Sequence, residues 1–293
     1  MTPTTDRNRI SYDDQANVFE NRTGLPAEIA RQVADAVCDY AGLGPGDLIV
    51  EIGAGTGVIG QWLARPPYRY LGFDSSQPML DVFRPRLRPD DKTMPSGGAP
   101  APQVDAALLH ADADARWPLA DRTAAAIFGS RVLHLLRAEH LLKEAERVAR
   151  PGGAVLICGR LERDPSSPRS AARKKLRELL AGHGLQPRPT GGRPTRLFAQ
   201  AEAEGADILA PRLAAAWPDT VGVTEVLDGW RGKTSLGGIN PPADVAQAVL
   251  AALTAWAAET YGEPAAPVTT ETRYVLEGIR LRAGPLSAGA ERP

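Results

Sequence analysis

Glu51-Ile52-Gly53-Ala54-Gly55-Thr56-Gly57 follows directly on the apolar run Asp47–Ile52, which reads as a buried parallel strand. Glycine at alternate positions lets the chain turn sharply from strand to helix and lets a ligand lie against bare backbone. The helix start beyond offers N–H groups without intrahelical partners. Asp74 closes the next strand candidate, Tyr68–Phe73. A doubly wound sheet would bring it beside the glycine loop, at the carboxyl edge where ligands bind. A carboxylate there can accept both hydroxyls of a ribose. Asp112 follows a third candidate, Val104–Leu109, on the same edge. It either accepts from an exocyclic adenine amine or caps a helix. Glycine loop, ribose acid and adenine acid together describe a nucleoside-shaped slot.

His134 is the best general-base candidate, since imidazole can take a proton from a hydroxyl near neutral pH. It sits among Val132, Leu133, Leu135 and Leu136, and a packed histidine is the alternative. No metal site is expected. The four histidines share no ligand spacing, and Cys38 and Cys158 are far apart with no Cys-x-x-Cys pair.

The elements that must position these residues alternate. A helix is predicted over Ala27–Tyr40, with Ile29, Val33, Ala36, Val37 and Tyr40 on one face. After the strand Asp47–Ile52, a helix is expected from Thr56 to Ala64. Ser75-Ser76 offers an N-cap ahead of Met79, Leu80, Val82 and Phe83. Arg88–Gln103, rich in Pro, Gly and charge, reads as a surface insertion. Ala124–Phe128 is a fourth strand, Glu139–Ala149 a helix, and Ala154–Cys158 a fifth strand. Beyond Asp164 come a basic helix (Ser170–Leu180), a short helix (Arg196–Glu204) and a strand (Ile208–Trp217). Helices follow within Thr220–Gly262, the clearest being Ala243–Tyr261, and then a last strand over Arg273–Leu281. Alternation of this kind specifies a doubly wound α/β fold with right-handed crossovers.

The chain has 293 residues, 43% hydrophobic and 24% charged, enough to bury a large core without staples. A formal net charge of −1 points to no general nucleic-acid or membrane surface. No apolar run approaches the roughly 20 residues of a membrane span. Met1–Arg9 is polar, so no signal peptide is expected, and the sparse cysteines fit a reducing, cytoplasmic setting.

The whole pattern resembles the class I S-adenosylmethionine-dependent methyltransferases, in their bacterial small-molecule form. The matching segments are Glu51–Gly57 (EIGAGTG), Phe73–Leu80 (FDSSQPML), His110–Ala113 (HADA), Phe128–Leu136 (FGSRVLHLL) and Arg147–Gly153 (RVARPGG). They cover Tyr12 to about Arg160 well and the remainder loosely. The resemblance implies a seven-stranded, mostly parallel sheet whose final strand is antiparallel, with S-adenosyl-L-methionine as cofactor. Glu51, Gly53, Ala54, Gly55 and Gly57 would border its methionine part. Asp74 and Ser75 would hold the ribose with Met79 packed nearby, and Asp112 with Ala113 would frame the adenine. Ser130 and Arg131 would face the reacting methyl group. Tyr12 and Arg22 would close over the amino-acid end, or be a packing tyrosine and a solvated arginine.

The implied organisation is a helical cofactor-covering leader (1–46), a cofactor-binding core (47–163), a C-terminal part (164–283) carrying a helical substrate lid at about 219–262, and a tail (284–293). Trp217, Trp230 and Arg231 would contact the acceptor, with Trp256, Tyr261 and Lys233 as companions; each aromatic is otherwise plain core. Methyltransferases acting on bases or amide nitrogens are similar to one another in an Asn/Asp-Pro-Pro-aromatic signature after the fourth strand. Here that position reads Gly129-Ser130-Arg131-Val132. A small-molecule acceptor is expected rather than nucleic acid. The basic stretch Arg169, Arg173, Lys174, Lys175 and Arg177 reads as a solvated helix face. A homodimer is among the assemblies left open.

Two rival readings stand beside this one. Gly55–Gly60 also fits G-x-G-x-x-G, with Asp74 near the distance of a dinucleotide-binding acid, as in an NAD-dependent oxidoreductase. Glu51 inside the strand, Asp112 without a role, and RVARPGG before the fifth strand count against it. The other is a cofactor-binding protein without chemistry, since alignment of an already activated sulfonium needs no catalytic side chain.

Overall fold

A computed structural model describes residues 25–87, 105–187, 194–231, 233, 235–262 and 265–282. Tyr12, Arg22, the insertion 88–103 and the tail 284–293 lie outside the described residues. The chain divides into two compact units. One comprises 11–160, 193–215 and 274–293, the other 1–10, 161–192 and 216–273.

The first unit holds the sheet's carboxyl edge. Helix α1 (Ala27–Ala41) buries Ile29, Ala30, Val33, Ala34 and Val37, the face its apolar spacing lays down. Gly42, with φ +63°, ends it: the Gly42 and Leu43 N–H groups return to Asp39 and Cys38 carbonyls, as a left-handed glycine cap allows. Strand β1 (Leu48–Ile52) is buried over its last four residues. Helix α2 is short, Gly60–Leu63. It does not start at Thr56, as the sequence suggested, because Gly55 and Gly57 take φ of +54° and +80°, which no right-handed helix tolerates. Strand β2 (Arg69–Asp74) leads to α3 (Gln77–Phe83). Its N-cap position is Ser76, whose side chain makes no capping hydrogen bond. Strands β3 (Ala106–His110) and β4 (Ala124–Ser130), helix α4 (Ala138–Val148) and strand β5 (Ala154–Arg163) follow.

The strand order is β3-β2-β1-β4-β5-β7-β6, with β6 spanning Asp207–Val221 and β7 Val268–Leu281. The pairings of β1 with β2 and β4, of β2 with β3, and of β4 with β5 are parallel. The order reverses between β1 and β4, so the ends of β1, β2 and β4 border the crevice where such sheets bind ligands. The last strand in sequence lies inside the sheet, between β5 and β6. A dinucleotide-binding sheet instead runs 3-2-1-4-5-6, which separates this topology from the oxidoreductase alternative. As an edge strand, β6 accommodates Pro211 and Pro218 and exposes Leu213. Strand β5 runs five residues past the apolar stretch that marked it in sequence, beside the long β7. Helix α6 (Thr195–Ala203) packs Leu197, Phe198 and Ala201 into the same core as Leu141, Ala145 and Leu156.

The second unit has its own core, built by α5 (Pro168–Gly182), α7 (Val223–Asp228) and α8 (Ala243–Tyr261) around Leu176, Leu180, Val226, Leu227, Val249 and Leu253. Ser167 caps α5 through the Ser170 N–H. The helices expected within Thr220–Gly262 are α7 and α8, and glycines 229, 237 and 238 and prolines 241 and 242 lie in the stretch between them. No helix among the described residues is long and apolar enough to cross a membrane.

Candidate active site

The carboxyl ends of β1 and β2 are stitched together through the glycine loop. The Gly53 and Ala54 N–H groups donate to the Phe73 carbonyl at 2.9 and 3.1 Å. The Gly55 N–H then donates to Asp74 Oδ2 at 2.9 Å, and the Ser76 N–H to Asp74 Oδ1 at 2.9 Å. Asp74 is thus held by backbone donors on both oxygens. Burial pushes its carboxyl up, opposed by the N–H donors and by nearby His110, and the net direction is upward.

The three glycines differ in what their missing side chains permit. A Cβ on Gly57 would run into the Phe83 ring, and one on Gly53 would sit 2.8 Å from Val132. Both are packing requirements. Among the described residues, a Cβ on Gly55 would meet nothing closer than the Gly53 carbonyl at 3.9 Å, and its N–H lies beside Asp74. Thr56 is 1% exposed, and its hydroxyl has no hydrogen-bond partner among the described residues. A buried orphan hydroxyl costs about 1–3 kcal/mol.

Glu51 points into the protein. It is 3% exposed and accepts a hydrogen bond from the Tyr70 hydroxyl at 2.5 Å. Gly60 and Gly72 leave room for this pair, since a Cβ on Gly60 would strike both partners. Burial raises the Glu51 carboxyl to about 8; Tyr70 opposes the shift and the Asp74 charge adds to it.

On β3, His110 pairs in register with Asp74, and its Nε2 lies 3.0 Å from the Ser75 carbonyl. Asp112 Oδ1 accepts the Asp114 N–H at 2.8 Å, and the neighbouring Ala113 is nearly buried. Ser130 ends β4, its hydroxyl 2.6 Å from that of Tyr274. Arg131 turns the chain with φ +58°, and Val132 packs back on Gly53. His134 is half-buried in the single turn Leu133–Leu135; burial lowers its pKa from 6.5, so the ring is neutral at physiological pH. Met79 is buried within α3.

The structure therefore gathers Glu51, Gly53, Ala54, Gly55, Gly57, Asp74, Ser75, Asp112, Ser130 and Arg131 along adjoining strand ends. Sequence reading passed over Thr56, Tyr70 and His110. Thr56 was legible as the one hydroxyl inside the glycine motif; Tyr70 was not, because nothing local marks its reach to Glu51.

Trp217, Trp230 and Arg231 belong to the second unit. Trp217 is 8% exposed on β6. Trp230 packs against the helical core, as do Trp256 and Tyr261, whose rings meet edge to face at 5.8 Å. Arg231 pairs with Asp228 at 2.6 Å and lines a cleft of about 750 Å³ with Lys233, Asn240, Gln247, Leu250 and Thr254. In the basic stretch Arg169 is paired with Asp219 and Glu225 at 3.4 and 3.3 Å. Among the described residues, no group of three or more His, Cys, Asp or Glu side chains is placed to hold a metal ion.

A seven-stranded sheet with its last strand inserted, a glycine loop and an acid at the end of β2 thus meet at the carboxyl edge, where open α/β sheets bind ligands. Residues 50–157 match the family model described as a methyltransferase domain. Over that segment the chain is similar to methyltransferase domains. The fold is also that of a candidate methyltransferase of Bacillus halodurans C-125, at 13% identity and TM-score 0.52, covering 85% of this chain and 98% of that one. It is likewise that of the YcgJ protein of Bacillus subtilis, at 15% identity and TM-score 0.51, covering 86% and 99%. At these identities the likeness concerns the fold alone. No curated protein matches the sequence.

Proposed function

We propose that this chain transfers the methyl group of S-adenosyl-L-methionine to a small organic acceptor in the cytoplasm. The observation that carries the cofactor assignment is the Gly55–Asp74 junction, where a glycine with no close Cβ neighbour meets a carboxylate held on both oxygens. The residues present fit the cofactor. Asp74 can accept from two ribose hydroxyls, Asp112 from the adenine amine, and the orphan Thr56 hydroxyl gains a partner. Bound there, S-adenosylmethionine supplies an electrophilic methyl group whose leaving electron pair stays on sulfur.

The protein's part is alignment and proton handling. Ser130 and Arg131, at the end of β4, border the acceptor side. His134, kept neutral by burial, takes the proton an acceptor hydroxyl releases. Trp217, Trp230 and Arg231 contribute to acceptor recognition, Arg231 and Lys233 by lining a cleft of a size that suits a small anionic molecule. The lack of an Asn/Asp-Pro-Pro-aromatic signature after β4 and the near-neutral charge favour a small molecule over nucleic acid.

The test is titration calorimetry with S-adenosylhomocysteine beside NADH. Micromolar binding of the first and none of the second supports the reading and opens an acceptor screen for released S-adenosylhomocysteine. Binding of NADH alone overturns it.

A further inference from the structure

The connection between α7 and α8 is tied to the helical core at several points. The Trp230 N–H donates to the Leu227 carbonyl at 2.8 Å, and the Arg231 N–H to the Leu227 and Asp228 carbonyls at 3.2 Å each. The Lys233 N–H donates to the Trp230 carbonyl at 3.2 Å, and the Trp230 side chain packs on the core. Further on, Leu236 is fully buried and exchanges backbone hydrogen bonds with Ile239 at 2.9 and 3.1 Å. Gly237, with φ +57°, turns the chain between them, and a Cβ there would lie 2.9 Å from the Leu180 side chain. Arg231 and Lys233 are therefore presented from a backbone that is fixed before and after them.

Both side chains line the cleft of about 750 Å³, and helix α8 supplies most of the remaining wall. Val249, Leu253 and Ala257 turn to the core, while a neighbouring stripe of α8, with Ala243, Ala246, Leu250 and Ala251, faces the cleft. At 1.5 Å per residue, the stripe from Ala243 to Thr254 is about 16 Å long. Alanine at 246 and 251 leaves the room that a longer side chain would fill. No Asp or Glu lines the cleft among the described residues, and Asp228 holds the Arg231 guanidinium from one side at 2.6 Å. Two cations beside an apolar stripe make a specific demand on a ligand. An inorganic anion would leave the stripe uncovered, and a neutral apolar molecule would leave the cations without a partner. A molecule with an anionic head and an apolar body satisfies both, the head through charge-assisted hydrogen bonds and the body through the area it removes from water.

We infer that this cleft binds an organic anion with an apolar body, its carboxylate or phosphate head on Arg231 and Lys233 and its hydrocarbon part along Ala246, Leu250 and Ala251, and that this is the chemical class of the methyl acceptor. Only the word acceptor rests on the methyl-transfer reading above. Every lining residue lies between 231 and 254, within the second unit, so the cleft is complete without a ligand on the sheet.

The experiment measures dissociation constants for decanoate, decyl phosphate and decanol by calorimetry on the full chain, with S-adenosylhomocysteine titrated in parallel. The proteins are wild type, Arg231→Gln with Lys233→Gln, and Ala251→Phe, each with a thermal melt. Arg231 and Ala251 are exposed, so all three are expected to fold. Wild type should bind one or both anions about tenfold or more tighter than decanol, and the tighter of the two names the head group. The double glutamine variant should lose that preference and keep its decanol affinity. Ala251→Phe should weaken anion and alcohol alike by about tenfold, because the ring fills the space beside the stripe. Equal binding of anions and alcohol by wild type overturns the inference, as does a preference that survives in the double variant or an affinity that Ala251→Phe leaves unchanged. Binding of S-adenosylhomocysteine without any of the three probes sinks this inference and spares the cofactor reading. Binding of an anion without S-adenosylhomocysteine keeps the cleft's ligand class and removes the reason to call that ligand an acceptor.

Discussion

Replacing Glu51 by glutamine should make the ligand-free protein more stable at alkaline pH and flatten its stability between pH 5 and 9. Glu51 is a buried carboxyl raised from 4.5 to about 8, chiefly by loss of hydration. A carboxyl raised on folding contributes its full stability below the unfolded value, near 4.5, and loses it as the pH climbs through the folded value, near 8. At about 1.4 kcal/mol for each pH unit the ceiling on that loss is about 5 kcal/mol. Glutamine keeps an oxygen for the Tyr70 hydroxyl and carries no charge to bury, so it escapes the loss. For a chain of this size roughly 2–4 °C accompanies each kcal/mol, so the melting temperature of Glu51→Gln should gain on wild type by at most about 10–20 °C between pH 5 and 9. Thermal melts of both proteins across that range, without ligand, test this, since every other titrating group is common to the two. Parallel melting curves would falsify the reasoning: Glu51 would then be ionised and solvated in the folded chain.

Other outcomes follow from the site. Asp74→Ala should weaken S-adenosylhomocysteine binding about 100-fold or more in calorimetry, through loss of the carboxylate proposed to accept the ribose hydroxyls, while the circular dichroism spectrum stays that of wild type. Gly57→Ala should lower stability by about 2–3 kcal/mol in urea titration, because the new Cβ meets the Phe83 ring at a backbone φ of +80°; a neutral result would show that Phe83 moves aside freely. With a hydroxyl acceptor in hand, the rate should fall as the pH drops below 6.5 and His134 becomes protonated. His134→Gln should lose both that acidic limb and most of the rate, and a limb that survives the substitution assigns the proton elsewhere.

The sequence by itself determined the class of fold and the core of the proposed cofactor slot. Short apolar runs ending in glycine or aspartate mark buried parallel strands wherever they occur, so Leu48–Ile52, Arg69–Asp74 and Ala124–Ser130 were visible from local composition. The glycine motif and Asp74 were legible for the same reason, because a sharp turn and a strand-end acid are local necessities. Tertiary structure decided what depends on partners distant in sequence. It decided that helix α2 waits until Gly60, after a Gly57 of positive φ whose missing side chain leaves room for the Phe83 ring. It decided that β7 enters between β5 and β6, which no periodicity encodes. It turned Glu51 inward to Tyr70, nineteen residues away, and gathered Glu144 and Arg147 on the loop after β3. Hydrophobic patterning reports which face of an element is buried; which polar groups meet on that face is set only once the elements pack, because a hydrogen bond needs both partners in place and leaves no local trace in either sequence segment.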